Sequence, residues 1–305
     1  MSEFFNVIFS EEFLSTVVRV LVPLLFASMS AYIAALAGMP NIAVEGIMLM
    51  SALFAVLGSY WTQSSWLGLL ISIAAGLAMA VILMFCTIKM GTNPILVGIA
   101  LNTFSASFTV FLLYLFTQNK GTSASLASIV LPIVNIPIVE KIPVLRAILS
   151  GQYTITYLCI LSMILLAVLV YQTPLGMRMK AAGLDERAAK TAGINVNRVR
   201  VIAVLLSGLL AALGGAYMTT GYLSIFTKNM IAGRGWIGIA AQAMGGTNML
   251  GVAVTTFVFS LFQAITNVFS LYDLPSELIN IIPYVGVLLG IILFSVSTYR
   301  SNKKG

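Results

Sequence analysis

The sequence predicts an all-α fold, a polytopic membrane helical bundle of about nine transmembrane helices. Three observations predict it. Hydrophobic residues make up 60% of the chain and charged residues 8%, with a mean hydropathy of +1.04, whereas a soluble domain carries about a quarter charged residues. Apolar runs of about 20 residues recur, each long enough to cross the hydrocarbon as a helix. The runs are continuously apolar, unlike the short alternating segments of an outer-membrane barrel, and a helix satisfies its own backbone hydrogen bonds in lipid.

The spans read in order as 14–37, 41–60, 66–88, 94–117, 153–172, 201–221, 235–248, 250–270 and 277–297. The run at 235–248 is short for a crossing, and a re-entrant segment is the alternative. All 305 residues read as one transmembrane domain with two longer loops, 118–152 and 173–200. Loop 173–200 holds Arg178, Lys180, Arg187, Lys190, Arg198 and Arg200, and the tail holds Arg300, Lys303 and Lys304. Basic residues mark cytoplasmic loops, so both belong on the cytoplasmic side. Counting back places the N-terminus and loop 118–152 outside. In that outer loop Pro132, Pro137 and Pro143 argue against a further spanning helix. The acidic start MSEFFNVIFSEEF has no basic region or small-residue cleavage site, so no cleavable signal peptide is expected.

The net charge of +7 is accounted for by loops and tail and does not point to nucleic acid. Cys86 and Cys159 fall inside apolar runs and read as small buried hydrophobes. The chain contains no histidine, which removes His metal sites and His acid–base catalysis, and no metal-ligand cluster or catalytic constellation is seen. No glycine-rich G-x-x-x-x-G-K-[ST] loop is present, so the chain is not expected to bind or hydrolyse ATP itself.

The most charged stretch, GLDERAAKTAGINVNRVR (183–200), interrupts this apolar chain. Residues 185–192 read as a helix about 12 Å long. Asp185 and Glu186 suit its first turn and Lys190 its last. Leu184, Ala188 and Ala192 repeat at i, i+4 as one small apolar face. Gly193 followed by Ile194 reads as a Schellman-type stop, and Asn195 or Asn197 can cap the next helix. A loop that only sets topology needs positive charge. An alanine face closed by a glycine stop suits insertion into a groove of another protein.

TPLGMRMKAAGLDERAAKTAGINVNRVRVIAVLLSGLLAALGGAYM resembles the cytoplasmic loop of permease subunits of ATP-binding cassette importers, the subgroup for ribose-type sugars, branched-chain amino acids and nucleosides. The matching positions are 173–176, Arg178 with Lys180, Ala188 with Ala189, 192–196 and 207–211. The likeness extends to PNIAVEGIMLMSALFAVLG (40–58), AGRGWIGIAAQAMGGTN (232–248) and LPSELINIIPYVGVLLGIILF (274–294). These blocks look most like nucleoside permeases. Ribose-type members tend to have Leu-Ser-Val-Gly after the first span and an extra N-terminal helix.

The resemblance implies that Asp185, Glu186, Arg187, Ala188, Ala189, Ala192, Gly193 and Ile194 form a coupling helix seated in a groove of a cytoplasmic ATPase. ATP and Mg would then be bound by that partner and no cofactor by this chain. It also implies a second permease subunit, identical or related, an extracytoplasmic solute-binding protein, and a place in the bacterial inner membrane. Within that class the alternative substrates are simple sugars, riboflavin-like molecules and branched-chain amino acids. Outside it stand a membrane enzyme, for which catalytic groups are missing, and an ion-coupled transporter, for which Glu45 is a lone intramembrane acid.

Transport sites form where membrane helices break. Two breaks are readable, GMPN (38–41) followed by Glu45, and GGTN (245–248) preceded by Gln242. Ionisable residues within spans are costly and usually face a cavity or a partner. Glu45 reads either that way or as bonding backbone near the cytoplasmic interface. Asn41, Glu45, Asn102, Trp236, Gln242, Asn248 and Gln263 are the candidate pathway residues. Phe104, Phe108, Trp236 and Phe262 are candidates for an aromatic wall. Gly208, Gly214 and Gly215 read as close helix packing.

Overall fold

A computed structural model describes residues 11–136 and 150–269, with 285, 286, 288, 290 and 292. The chain is mostly helical. In order come α1 (Glu11–Leu36), α2 (Val44–Thr62), α3 (Ser65–Met84, extended by a π-helical turn Phe85–Lys89) and α4 (Pro94–Thr117). Short strands β1 (Ile133–Val134) and β2 (Gln152–Tyr153) pair antiparallel. They lead to α5 (Thr154–Gln172), α6 (Pro174–Leu184), α7 (Glu186–Thr191) and α8 (Val196–Tyr217, continued by a π turn Met218–Tyr222). The last two are α9 (Arg234–Gly245) and α10 (Met249–Phe269).

Seven helices among the described residues are long and apolar enough to cross a membrane: α1, α2, α3, α4, α5, α8 and α10. They match seven of the nine runs read in the sequence. The run at 235–248 is different. Its helix α9 has 12 residues, so it rises about 18 Å against roughly 30 Å of hydrocarbon. The run at 277–297 lies largely outside the described residues. Two further differences concern loop 173–200. Residues 174–184 form a helix, started by Thr173, whose hydroxyl accepts the Gly176 N–H, and by Pro174 at the first helical position. The following helix begins at Val196 rather than 201, because Asn195 caps it by accepting the Arg198 N–H at 3.1 Å.

Close approaches set the directions. Gly215 of α8 lies on the Met48 backbone of α2, and Thr219 donates to the Ala52 carbonyl at 3.0 Å, so these two helices run parallel. Gly76 of α3 meets Ala212 while Gly208 meets Ala80, so α3 runs the other way. Small residues let these backbones pack where lipid offers no hydrophobic drive. Gly98 meets Ile42 and Gly46 meets Asn102, so α4 runs parallel to α2. Gly238 meets Ala27, and Tyr32 donates to the Thr247 carbonyl at 3.0 Å, so α9 runs parallel to α1. Thr256 donates to Ser28 at 2.9 Å, further back along α1, which turns α10 around again. The outcome is strict alternation, with α1, α3, α5 and α9 heading toward the end that carries α6 and α7.

Candidate functional site

Two features carry chemistry: the exposed helix at that end, and a break halfway along the bundle.

The short helix α7 is fixed at both termini. Asp185 Oδ1 accepts the N–H groups of Arg187 at 2.8 Å and Ala188 at 3.0 Å. At the other end Gly193 takes the left-handed conformation at φ 79°. The Gly193 N–H bonds the Lys190 carbonyl and the Ile194 N–H the Ala189 carbonyl, both at 3.0 Å, the double bond of a Schellman stop. Glu186 bonds Lys190 at 2.6 Å and Arg200 at 2.8 Å. The Lys190 hydrogen bond, then the one from Arg200, holds this carboxyl below its usual pKa. Arg200 also donates to the Ala37 carbonyl at 3.4 Å, which ties α7 to the end of α1. Ala189 is 4% exposed and faces the bundle. Leu184, 83% exposed, with Ala188, Ala192 and Gly193, faces away from it. Arg187 is exposed and Ile194 half-buried.

The break lies before α9. After α8 the chain is irregular from 223 to 233. It is clamped at the far end of the bundle by Ser123, whose hydroxyl accepts the Phe226 N–H at 2.8 Å, and by Gly121, whose carbonyl accepts from Lys228 at 2.8 Å. It then descends to Gly233 and starts α9 inside the bundle. Glu45 meets it there. One carboxylate oxygen accepts the Gly233 N–H at 2.8 Å and the other the Gly235 N–H at 2.7 Å. An anion so placed satisfies two orphan donors and the positive end of the helix dipole. Because Gly238 packs on Ala27, Gly235 lies level with the middle of the 26-residue α1. Glu45 thus bonds backbone, but at mid-depth and not near an interface.

Asn41 and Asn102 brace the turn that leads to Glu45. Asn41, 2% exposed, donates to Ser207 at 2.8 Å and accepts the Ala43 N–H at 2.9 Å. Asn102 donates to the Ile42 carbonyl at 2.9 Å and accepts the Gly46 N–H at 2.7 Å. Trp236 is 44% exposed on the outer side of α9. Gln242 and Gln263 are half-buried. Asn248 lies elsewhere, in the α9–α10 turn at the α6–α7 end, where its amide oxygen accepts from Tyr171. The GGTN turn is therefore at that end, and the mid-depth break falls at 223–233, which the sequence reading missed. The charged cluster Lys228, Arg234 ahead of a short apolar run is the signal that could have found it. Phe104 and Phe108 stack at 4.9 Å beside a groove of about 440 Å³ between α2, α3 and α4. Phe262 packs against α9 on another side, in the cluster with Val20, Leu24 and Ile237.

Among the described residues, a bundle of seven long apolar helices, with a half-length helix that starts at mid-depth and a small helix bare on its outer face, is the architecture of a multi-pass membrane protein. Comparison with known proteins makes this specific. The chain belongs to the family described as the branched-chain amino acid transport system permease component, which matches residues 13–297. It is 29% identical to the nucleoside ABC transporter permease protein NupC of Lactococcus lactis, over 89% of this chain and 88% of that one. It is 28% identical to the guanosine ABC transporter permease protein NupQ of Bacillus subtilis, over 88% and 87%. In fold it is similar to PsaBC from Streptococcus pneumoniae, with a TM-score of 0.56 at 14% identity, covering 95% of this chain and 94% of that one. The chain is a permease component and a multi-pass protein of the bacterial inner membrane.

Proposed function

We propose that this chain is the membrane subunit of an ATP-binding cassette importer for nucleosides, worked by a separate cytoplasmic ATPase through α7. Two permease subunits, identical or related, enclose the pathway. The ATPase binds ATP and Mg, this chain binds no cofactor, and an extracytoplasmic solute-binding protein delivers the substrate. The observation that carries the coupling role is that α7 is capped at both ends and ion-paired at its base, yet leaves Leu184, Ala188 and Ala192 outside the bundle. The nucleoside assignment is supported by likeness to NupC and NupQ along nearly the whole chain.

The proposed topology has nine crossings. Seven are full helices. The eighth is the irregular segment 223–233 continued by α9, and the ninth is 277–297. Alternation then puts the N-terminus outside and the tail on the side of α6 and α7. There Arg300, Lys303 and Lys304 join the six basic residues of loop 173–200, as the positive-inside rule requires.

The test is reconstitution with the ATPase and binding protein in vesicles, with labelled guanosine, ribose, riboflavin and leucine offered in parallel. ATP-dependent uptake of guanosine above the other three is the expected outcome. Preferential uptake of any of the others would displace the nucleoside assignment. External accessibility of a tag in residues 183–200 would overturn the topology.

A further inference from the structure

The half-length helix α9 is held at its start and at the turn that follows it. Glu45 holds its first turn at mid-depth. Two tyrosines hold the turn that follows it and the start of α10: Tyr32 donates to the Thr247 carbonyl at 3.0 Å, while the Tyr171 hydroxyl accepts the N–H of Met249, the first residue of α10, at 3.0 Å and lies 3.3 Å from the Asn248 amide oxygen. Tyr171 belongs to the last turn of α5, one residue short of its end.

The stretch from Tyr171 into α6 is closely bonded. Thr173 bonds the Leu169 carbonyl at 2.6 Å and caps α6. Gly176 sits directly on the carbonyls of Leu169 and Val170. Lys180 of α6 places its ammonium 4.4 Å above the Tyr171 ring, a cation–π contact that fixes the ring against α6. Beyond that ring a crevice of about 620 Å³, lined by Leu36, Lys180, Leu184, Thr247, Asn248 and Leu250, separates α6 from the α9–α10 turn. Across this crevice the Tyr171 hydroxyl, beside that of Tyr32, bonds the α9–α10 turn.

We infer that Tyr171 is a positioning residue whose hydroxyl makes α9 follow α6 and α7, carrying motion from the exposed helix to the mid-depth break at Glu45. The inference rests on the coupling role proposed for α7 and adds where the motion goes. A helix held at its start by Glu45 and, through the turn after it, by Tyr171 is a physical element that both sites bias, which spatial intermediacy alone is not.

The test uses the full importer in vesicles, with guanosine uptake and ATP hydrolysis measured together. Tyr171→Phe keeps the ring and its contact with Lys180 and removes only the hydroxyl. Losing this tie should lower guanosine moved per ATP about tenfold, while substrate-stimulated hydrolysis stays within about twofold of wild type. Tyr32→Phe, which cuts the neighbouring tie, should shift the ratio in the same direction and serves if the first variant inserts poorly. A purely structural role would lower both activities together and leave their ratio unchanged, and that result overturns the inference. A wild-type complex whose ATP hydrolysis ignores substrate overturns the importer reading and this inference with it. A coupled wild type with an unaltered Phe ratio overturns this inference alone.

Discussion

Arg200, in the second turn of α8, reaches Glu186 on α7 with 2.8 Å between guanidinium and carboxylate. Since Glu186 also holds Lys190, one acid fixes both the helix and its angle to the bundle. Its carboxyl sits below the usual value of 4.5, held there by Lys190 first and Arg200 second. A carboxyl depressed in the folded state stabilises it at every pH above the unfolded value, and that contribution fades as pH falls through the folded one. Amide exchange at residues 186–192 should therefore be flat from pH 7 to about 5, after correction for intrinsic rates. Additional opening should set in only below 4.5. The pair is partly exposed, so Glu186→Gln should loosen α7 by no more than about 1 kcal/mol. Opening that begins near neutral pH would contradict the assignment.

Ala188 and Ala189 are adjacent but face opposite ways, which gives a paired test of α7. Ala188 points away from the bundle, so Ala188→Trp should insert and melt like wild type while abolishing substrate-stimulated ATP hydrolysis in the assembled importer. Ala189 is buried against the bundle, so Ala189→Trp should overpack and destabilise it by about 1–3 kcal/mol. Equal melting losses in both variants would mean that α7 has no free face.

Gly215 of α8 offers a packing test away from any site. A Cβ there would fall on the carbonyl of Met48, and backbone cannot step aside as a side chain can. Gly215→Ala should force α2 and α8 apart at a cost of about 1–3 kcal/mol, read as a lower melting temperature in detergent. Gly193→Ala meets nothing within 4 Å but takes φ 79°, so its cost is conformational, about 1 kcal/mol. A larger loss at Gly193 than at Gly215 would reverse this view of which contact holds the bundle.

How much of this was legible follows from what acts locally. The seven full helices could be read because lipid demands long apolar runs and nothing else produces them. The glycine stop of α7 and the cap of α8 could be read because Gly193 and Asn195 act within three residues of their partners, whereas Asp185, read as a first-turn charge of a helix 185–192, is the N-cap of a shorter helix Glu186–Thr191. Helix α6 was missed although Thr173 and Pro174 announced it, since its mixed polarity resembles a loop. The depth of Glu45 was not legible. Its partners lie 188 and 190 residues away, and no local pattern encodes which helix start a lone acid will meet. The pairing of Asn102 with the turn before α2 was hidden for the same reason. Asn248 was read as part of a pathway break but lies in the turn between α9 and α10, and the end of the bundle that this turn occupies depends on Tyr171, on a different helix.

Glu45 is the residue whose removal separates a structural from a transporting role. Its two oxygens satisfy two N–H groups at the start of α9, and a buried donor left unpaired costs about 1–3 kcal/mol. Glu45→Ala abandons both and should lower stability by about 2–5 kcal/mol, seen as early melting in detergent. Glu45→Gln keeps an oxygen that can accept from Gly233 or Gly235 but turns an amide donor toward the other, and it removes the charge facing the start of α9. Its melting loss should be clearly smaller than that of Ala. If the charge serves only to cap the helix, Gln uptake of guanosine should fall in step with stability and recover in a background stabilised elsewhere. If the charge takes part in transport, uptake should stay low after stability is restored. We expect recovery, because both carboxylate oxygens are already engaged by α9; persistent loss would show that Glu45 acts on the transported molecule.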